Sequence, residues 1–357
     1  MSGNLPTLKP LLLDTPPGEW KLSSGEPWRE KQLREWIFQR FVSSFEEMSN
    51  LPAALRADLA AQYRLAAVEP LKIQGSADTT RKILWRLGDG SLLESVLIPA
   101  NPSRDGHRSG RLTLCVSSQV GCAYGCRFCA SGLDGWRRNL TAAEIVGQVL
   151  GAAKIAGCRP DNLVFMGMGE PLANLPRVRA AIEILTSPEG LGIGARHLTV
   201  STSGLAPQIE ELAQIPGQFR LALSLHAGTD ETRDKIMPVN RKYPLGKLIP
   251  ACQTFARAKR KMITFEYILL KDLNDNPAEA RAVVRHARRL HAKVNLIPYN
   301  TVEGLPYERP GEPAIRRFQQ VFREAGVEAT VRREKGHDID AACGQLRLRQ
   351  EKAGLTA

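Results

Sequence analysis

Apolar residues recur at helical spacing in WREKQLREWIFQRF, at Leu33, Trp36, Ile37 and Phe41, and again in NLPAALRADLAAQYRL, where Asn50 is the expected cap. The period then shortens to alternation on both sides of Asp89-Gly90 in RKILWRLGDGSLLESVLIP, which predicts a two-stranded hairpin. The tract NPSRDGHRSGR follows as a linker or mobile loop.

From Leu112 onward short apolar runs alternate with longer helical patterns. Strands are expected at LTLCVSS, NLVFMGMG, HLTVSTS, RLALSLH, ITFEYILL and VNLIPYN, with a further one at ATVRRE. Helices are expected at TAAEIVGQVLGAAKIAG, LPRVRAAIEILT, PLGKLIPACQTFARAKR and PAEARAVVRHARRL. Alternation of this kind builds a parallel sheet, and six such units permit a full or partial α/β barrel whose chemistry sits at the C-terminal strand ends. The fold class is therefore α/β, with a small accessory domain of helices and a hairpin in front.

Composition narrows the class. With 43% hydrophobic and 24% charged residues in 357, the chain carries a proper core and is neither fibrous nor disordered. No apolar run approaches the length of a membrane span, and the first twenty residues have neither a basic stretch before an apolar one nor a cleavage site, so a cytoplasmic protein is expected. The net charge of +12 points to a polyanionic partner. All seven cysteines lie from Cys115 onward, and an odd number without an export signal favours metal ligation or chemistry over a disulfide framework.

GCAYGCRFC sets Cys122, Cys126 and Cys129 in a C-x3-C-x2-C spacing after the first barrel strand. Three thiolates are one short of the four that close an iron-sulfur cube, so one iron would keep an open position for an outside ligand. A three-cysteine zinc site is the competing possibility, but zinc normally takes a fourth ligand nearby. At the next strand ends stand GMGEP, where Gly169 allows close backbone approach and Glu170 can accept from an ammonium group, then Ser201, then Ser224, Leu225 and His226, and finally Asn300. Each alone is weak, since a strand-end serine usually satisfies a loop and a lone histidine usually packs. Their joint placement on one rim carries the weight. Cys343, in DIDAACGQL, reads as a loop after the last strand.

The cysteine spacing, with Phe128 before the third cysteine and a barrel behind, resembles the radical S-adenosylmethionine (SAM) superfamily. The ordered set CVSSQVGCAYGCRFC, GMGEP, STSG, SLHA, NLIPYN and DIDAACGQL resembles the RlmN/Cfr family of RNA adenosine methyltransferases, and WREKQLREWIFQRF…FEEMSNLPAALR is similar to the RlmN-type accessory domain. The resemblance covers about Trp28 to Leu346 and implies a partial (β/α)6 TIM-like radical SAM barrel. It divides the chain into an accessory RNA-binding domain at 1–107, a core at 108–336 and a terminal segment at 337–357.

The resemblance further implies one 4Fe–4S cluster on Cys122, Cys126 and Cys129, two SAM per turnover, and SAM contacts at Gly169, Glu170, Ser201, Ser224, Leu225, His226 and Asn300. By it, Cys343 becomes an S-methylcysteine intermediate, Glu94 accepts a proton, Cys115 resolves a covalent RNA adduct, and a disulfide bond belongs to the family's features. The implied partners are 23S rRNA, tRNA and a low-potential flavodoxin-like electron donor; the implied state is a monomer. Direct polar methylation of adenine C2 would fail because that carbon is electron-poor, so a radical route meets a real chemical need.

Alternatives remain at this stage. Cys115 could merely pack, and Glu94 in a hairpin strand could be a solvated carboxylate. A Cfr-like enzyme would methylate C8 of the same rRNA adenosine. A radical methylthiotransferase would need a second cluster, which a cysteine-free stretch of 114 residues at the front does not provide. A non-catalytic iron-sulfur RNA sensor would cleave no SAM.

Cys158 and Cys252 are given structural roles, and His107, His197, His286, His291 and His337 no catalytic one. For RNA contact, Arg137 and Arg138 beside the cysteine loop, and Arg332, Arg333 and Lys335 near Cys343, are better placed than Arg281, Arg285 and Arg288, whose helix face could simply be solvated. Pro310, Lys335 and His337 depart from the family pattern.

Overall fold

The structure is a computed structural model that describes residues 8–20, 22, 26–76, 79–100, 110–133, 135–332 and 344–352. Two helices open it, α1 (Pro27–Phe38) and α2 (Ala53–Gln62), followed by an antiparallel meander of β1 (Val68–Gly75), β2 (Arg81–Leu87) and β3 (Leu92–Pro99). Next come β4 (Leu112–Cys115), the short strands β5 (Gln119–Gly121) and β6 (Trp136–Asn139), and α3 (Ala142–Ala156). The rhythm then runs through β7 (Asn162–Phe165), α4 (Leu175–Thr186), β8 (Leu198–Thr202), α5 (Ala206–Gln214) and β9 (Arg220–Ser224). It continues with α6 (Asp230–Ile236), α7 (Leu245–Lys259), β10 (Thr264–Leu269), α8 (Pro277–Leu290), β11 (Lys293–Pro298), α9 (Glu312–Glu324), β12 (Ala329–Val331) and α10 (Gln345–Lys352).

Ten strands form one sheet in the order β1-β2-β3-β4-β7-β8-β9-β10-β11-β12, while β5 and β6 pair separately. From β4 to β12 every neighbour is parallel, and helices make each crossover. The described sheet is open, since β1 and β12 are its edges. This is the expected α/β architecture with a partial barrel. The predicted hairpin is present with Asp89-Gly90 in its turn, and β3 pairs antiparallel with β4, so the hairpin extends the barrel sheet.

Local sequence explains most elements. Thr141 and Glu144 form a reciprocal capping box at the start of α3, an arrangement contributing about 0.5–2 kcal/mol. Helix α3 is buried on nearly every side because β1 lies against one face and the segment Leu12–Asp14 against another. One apolar core runs from Leu33, Trp36 and Ile37 of α1 through Trp85 and Val149 to Phe265 and Phe318. In α8 the expected stripe is real: Arg281, Arg285 and Arg288 are exposed while Val283, Val284 and Ala287 are buried.

Several expectations are corrected. Asn50 does not cap α2; Pro52 stands at the N-cap position with no side-chain cap, and the Asn50 amide oxygen instead accepts the Trp36 indole N–H at 2.5 Å. Cys158 lies past the Gly157 cap of α3 and is exposed, whereas Cys252 is buried in α7. Of the segment DIDAACGQL expected as a loop, residues 338–343 lie outside the described residues, while Gln345 and Leu346 open a helix that runs to Lys352. Residues 101–109 of the linker, with His107, and Arg333, Lys335, His337 and Cys343 lie outside the described residues. No described helix is long and apolar enough to cross a membrane.

Candidate active site

The loop bearing the three clustered cysteines is pinned at its base by the β5–β6 ribbon. Gly121 has φ +74°, and a Cβ there would stand 2.0 Å from the Gly135 carbonyl oxygen, so only glycine closes this ribbon. Cys122 donates its backbone N–H to that same carbonyl at 2.9 Å. The loop after β7 packs equally close: Gly169 has φ +96° and a Cβ there would lie 2.5 Å from the Gln119 side chain. Gln119 fixes that loop by accepting the Glu170 N–H at 2.8 Å and donating to Asn139 at 2.7 Å.

These loops surround a cavity of about 380 Å³. Cys122, Cys126 and Cys129 line it together with Cys115, Glu94, Gly169, Glu170, Ser201, Ser224, His226 and Asn300, so one space unites residues drawn from sequence positions 94 to 300. Leu225 does not line it; its side chain is fully buried, its N–H goes to Glu266, and its carbonyl accepts from Arg233.

Burial pushes the Cys122 thiol up to about 12 and the Cys115 thiol up to about 11. Cys126 is raised too, first by burial and then by the neighbouring thiols. Thiols held so become ligands only when a strong positive charge takes the place of their protons, which is what an iron site does. Among the described residues, no three His, Cys, Asp or Glu side chains converge on the position of a single ion. The three thiols ring a space instead, a donor set that fits a cluster with each sulfur on its own metal better than one zinc ion.

Glu170 is 3% exposed and accepts the Ser203 N–H at 2.6 Å and the Leu172 N–H at 3.0 Å. Burial outweighs these donors and raises its carboxyl. A carboxylate has about four acceptor positions, so room remains for an ammonium group. His226 sits at φ +57°, its Nδ1 accepts the Ile268 N–H at 3.0 Å, and its ring meets Phe128 edge-on at 4.8 Å. Burial, then the Arg233 charge, lowers it to about 3, so the ring is neutral. Ser201 donates to the Phe165 carbonyl at 2.8 Å.

Glu94 is no solvated carboxylate. It is 1% exposed, pairs with Lys82 at 3.0 Å, and accepts the backbone N–H groups of Gly344 at 2.9 Å and Arg347 at 2.7 Å. Gly344 has φ +87°, and a Cβ there would come within 3.0 Å of Ser131, two residues past Cys129. The residue following Cys343 therefore packs directly on the cysteine loop. Among the described residues the cysteines at 115, 122, 126, 129, 158 and 252 are free thiols, so the expected disulfide bond is absent there.

Sequence reasoning missed the supports. Arg233, fully buried, donates to the carbonyls of Leu225 at 3.0 Å and Ser203 at 2.6 Å and to Asn240 at 2.8 Å, joining the ends of β8 and β9. Gln148 of α3 accepts from Ser95 and the Ser117 N–H, both at 2.8 Å, and the Ser117 hydroxyl donates to the Glu94 carbonyl at 2.6 Å. For Gln148 the signal was a polar residue inside an otherwise apolar helix; Arg233, in the charged helix DETRDKI, gave none. Among the basic residues, Arg138 is ion-paired with Asp89 at 2.7 Å and with both oxygens of Glu144. Arg137 is half-exposed beside Glu351, and Arg332 lines the cavity.

Residues 116–282 match the family model of the Radical SAM superfamily, and residues 19–65 that of the ribosomal RNA large subunit methyltransferase N-terminal domain. The chain is 57% identical over 332 residues to a protein of Akkermansia muciniphila named "Probable dual-specificity RNA methyltransferase RlmN", covering 92% of each. It is 41% identical over 352 residues to "Dual-specificity RNA methyltransferase RlmN" of a Sulfurovum species, covering 96% of this chain and 98% of the other. The crystal structure of a radical SAM methyltransferase from Sphaerobacter thermophilus superposes with a TM-score of 0.87 at 42% identity, covering 94% of this chain and 98% of that one.

Proposed function

The chain belongs to the RlmN family of radical SAM RNA methyltransferases, and on that premise we propose that it methylates C2 of an adenosine in 23S rRNA, in the peptidyl-transferase region, and C2 of the adenosine 3′ to the anticodon in tRNA. The family uses one 4Fe–4S cluster and SAM, two molecules per cycle. When bound, the cluster and SAM together supply a hydrogen-abstracting 5′-deoxyadenosyl radical.

Cys122, Cys126 and Cys129 hold the cluster in this reading, leaving one iron for SAM. Glu170 takes the ammonium group, and Ser201, Ser224, His226 and Asn300 line the rest of the cofactor's course. Cys343 carries the methyl carbon as a thioether and delivers it to C2 as a covalent adduct. Glu94 takes the C2 proton; three of its roughly four acceptor positions are filled by Lys82, Gly344 and Arg347, so one is left. Cys115, on the same cavity, resolves the adduct. The target base must leave its stack to enter, a flip that costs a few kcal/mol. Residues 1–107 serve as the RNA-binding accessory part, a flavodoxin-like donor supplies electrons, and the enzyme acts as a cytoplasmic monomer.

The observation that carries this reading is the hydrogen bond from Gly344 to Glu94: it draws the neighbour of Cys343 to a carboxylate on the cavity that the three cysteines line. Anaerobic reconstitution with iron and sulfide, then reaction with SAM, reductant and either rRNA fragment or tRNA, should give 2-methyladenosine by nucleoside mass spectrometry, and none with Cys343→Ala. Finding 8-methyladenosine would move the enzyme to Cfr-like chemistry. Intact cluster and SAM cleavage without either product would overturn the RNA assignment.

A further inference from the structure

A carboxylate that no step above uses lies inside the cavity. Glu266, on β10, is 7% exposed and lines the space. One of its oxygens accepts from the Asn295 amide at 2.9 Å; the other makes no hydrogen bond among the described residues. Arg332 and Lys293 act on it electrostatically without a direct ion pair, and burial raises its carboxyl. An acceptor that opens onto the cavity and has no protein donor is free to take a hydrogen bond from a ligand.

Strand register says what kind of ligand. Glu266 pairs with Ser224 on one side and with Asn295 on the other, so three polar residues stand at one level across β9, β10 and β11. Two residues nearer the strand ends, Ile268 pairs with Ile297, and both line the same cavity. An apolar layer directly above a polar one suits a nucleoside, whose flat base contacts the isoleucines while its sugar hydroxyls face the polar level. Glu170 follows β7, three strands away in the sheet, or roughly 14 Å along its curve at about 4.8 Å per strand. An amino acid joined through sulfur to an adenosine extends across such a gap.

We propose that Glu266 binds the ribose hydroxyls of SAM, its free oxygen accepting from the vicinal diol while Asn295 fixes the carboxylate's orientation. Two hydroxyls donating to one acceptor-only group satisfy the open oxygen, and adenosylated compounds lacking a hydroxyl leave it unsatisfied. This rests on the SAM site described above and extends it by a residue that recognises the sugar.

The test measures equilibrium binding of SAM, and of its 2′-deoxy and 3′-deoxy analogues, to the cluster-loaded full-length protein. Wild type should bind at least one deoxy analogue about tenfold to a hundredfold more weakly than SAM, the range for a hydrogen bond to a charged group. Glu266→Gln should weaken SAM binding and shrink that discrimination, with the cluster absorbance unchanged; Asn295→Ala should do so to a smaller degree. Because the analogue comparison is made on wild type, a variant that fails to fold does not obscure it. Equal binding of SAM and both analogues by wild type overturns the proposal. So does a Glu266→Gln protein that keeps SAM affinity but shows a raised KM for RNA, which would give the carboxylate to the target base. Protein that binds no SAM at all, with its cluster intact, refutes the underlying site instead.

Discussion

Glu94 and Arg347, 253 residues apart in sequence, meet at 2.7 Å, the carboxylate of a central hairpin strand capping the helix that follows Cys343. Lys82 on the neighbouring strand completes the cluster, with both partners 1% exposed. Removing the carboxylate leaves a buried ammonium without it, and breaking buried pairs from one side typically costs about 3–5 kcal/mol. Glu94→Gln should lower stability to urea by that order and speed amide exchange at 344–348, while iron content is retained. Unchanged exchange there would show that α10 docks without Glu94.

Gly121→Ala places a methyl against the Gly135 carbonyl and forces a left-handed backbone on a residue that resists it, a strain of about 1–3 kcal/mol before the clash is counted. The cost falls on the ribbon beneath the cysteine loop. Iron and sulfide per chain after anaerobic reconstitution should drop well below wild type, with far-ultraviolet circular dichroism little changed.

His226 titrates near 3 when folded against an ordinary 6.5. The folded value is the lower one, so the unfolded chain binds the proton first. The neutral ring's contribution is fully present above 6.5, declines as pH falls below it at up to about 1.4 kcal/mol per unit, and stops changing below about 3. His226→Asn should therefore flatten the acid limb of a stability-versus-pH curve between those limits. Glu170 has the opposite sign, its folded value being raised, and it is common to both proteins, so the difference curve isolates the histidine.

Cys115→Ala should leave methyl transfer to Cys343 intact but trap the product. Denaturing electrophoresis of labelled RNA is expected to show a slow protein-linked band that accumulates in this variant and is absent from Cys343→Ala.

Sequence revealed what is written locally. The spacing of Cys122, Cys126 and Cys129, the helix over TAAEIVGQVLGAAKIAG and the Asp89-Gly90 turn each fit within a short stretch of chain, and the helix and the turn appear as expected. Strand β1 had a weak signal because it is an exposed edge in which Glu69-Pro70 interrupts the alternation, leaving only the short run Leu71 to Gln74. Helix α9 has a legible apolar face in Ile315, Phe318 and Phe322, a signal present in the sequence. Helix α10, QLRLRQEK, offers little apolar periodicity, and its first turn is held by Glu94 from far upstream. Glu266 looked like one polar interruption of an apolar strand, and only the register opposite Ser224 and Asn295 gives it a setting. Pairings over such distances have no local signature.

The hydrogen bond between Glu94 and Gly344 also sets a timetable for synthesis. These residues are 250 positions apart, and at about 5–20 residues per second a ribosome needs roughly 12–50 seconds to travel between them. Over that interval the barrel strands, from Leu112 to Val331, are translated one after another while the carboxylate has nothing from the far segment to hold. A nascent chain thus presents the thiols of Cys122, Cys126 and Cys129 more than 200 residues before the thiol at 343, so under the proposed assignment a cluster could be loaded before the residue proposed to carry the methyl group exists.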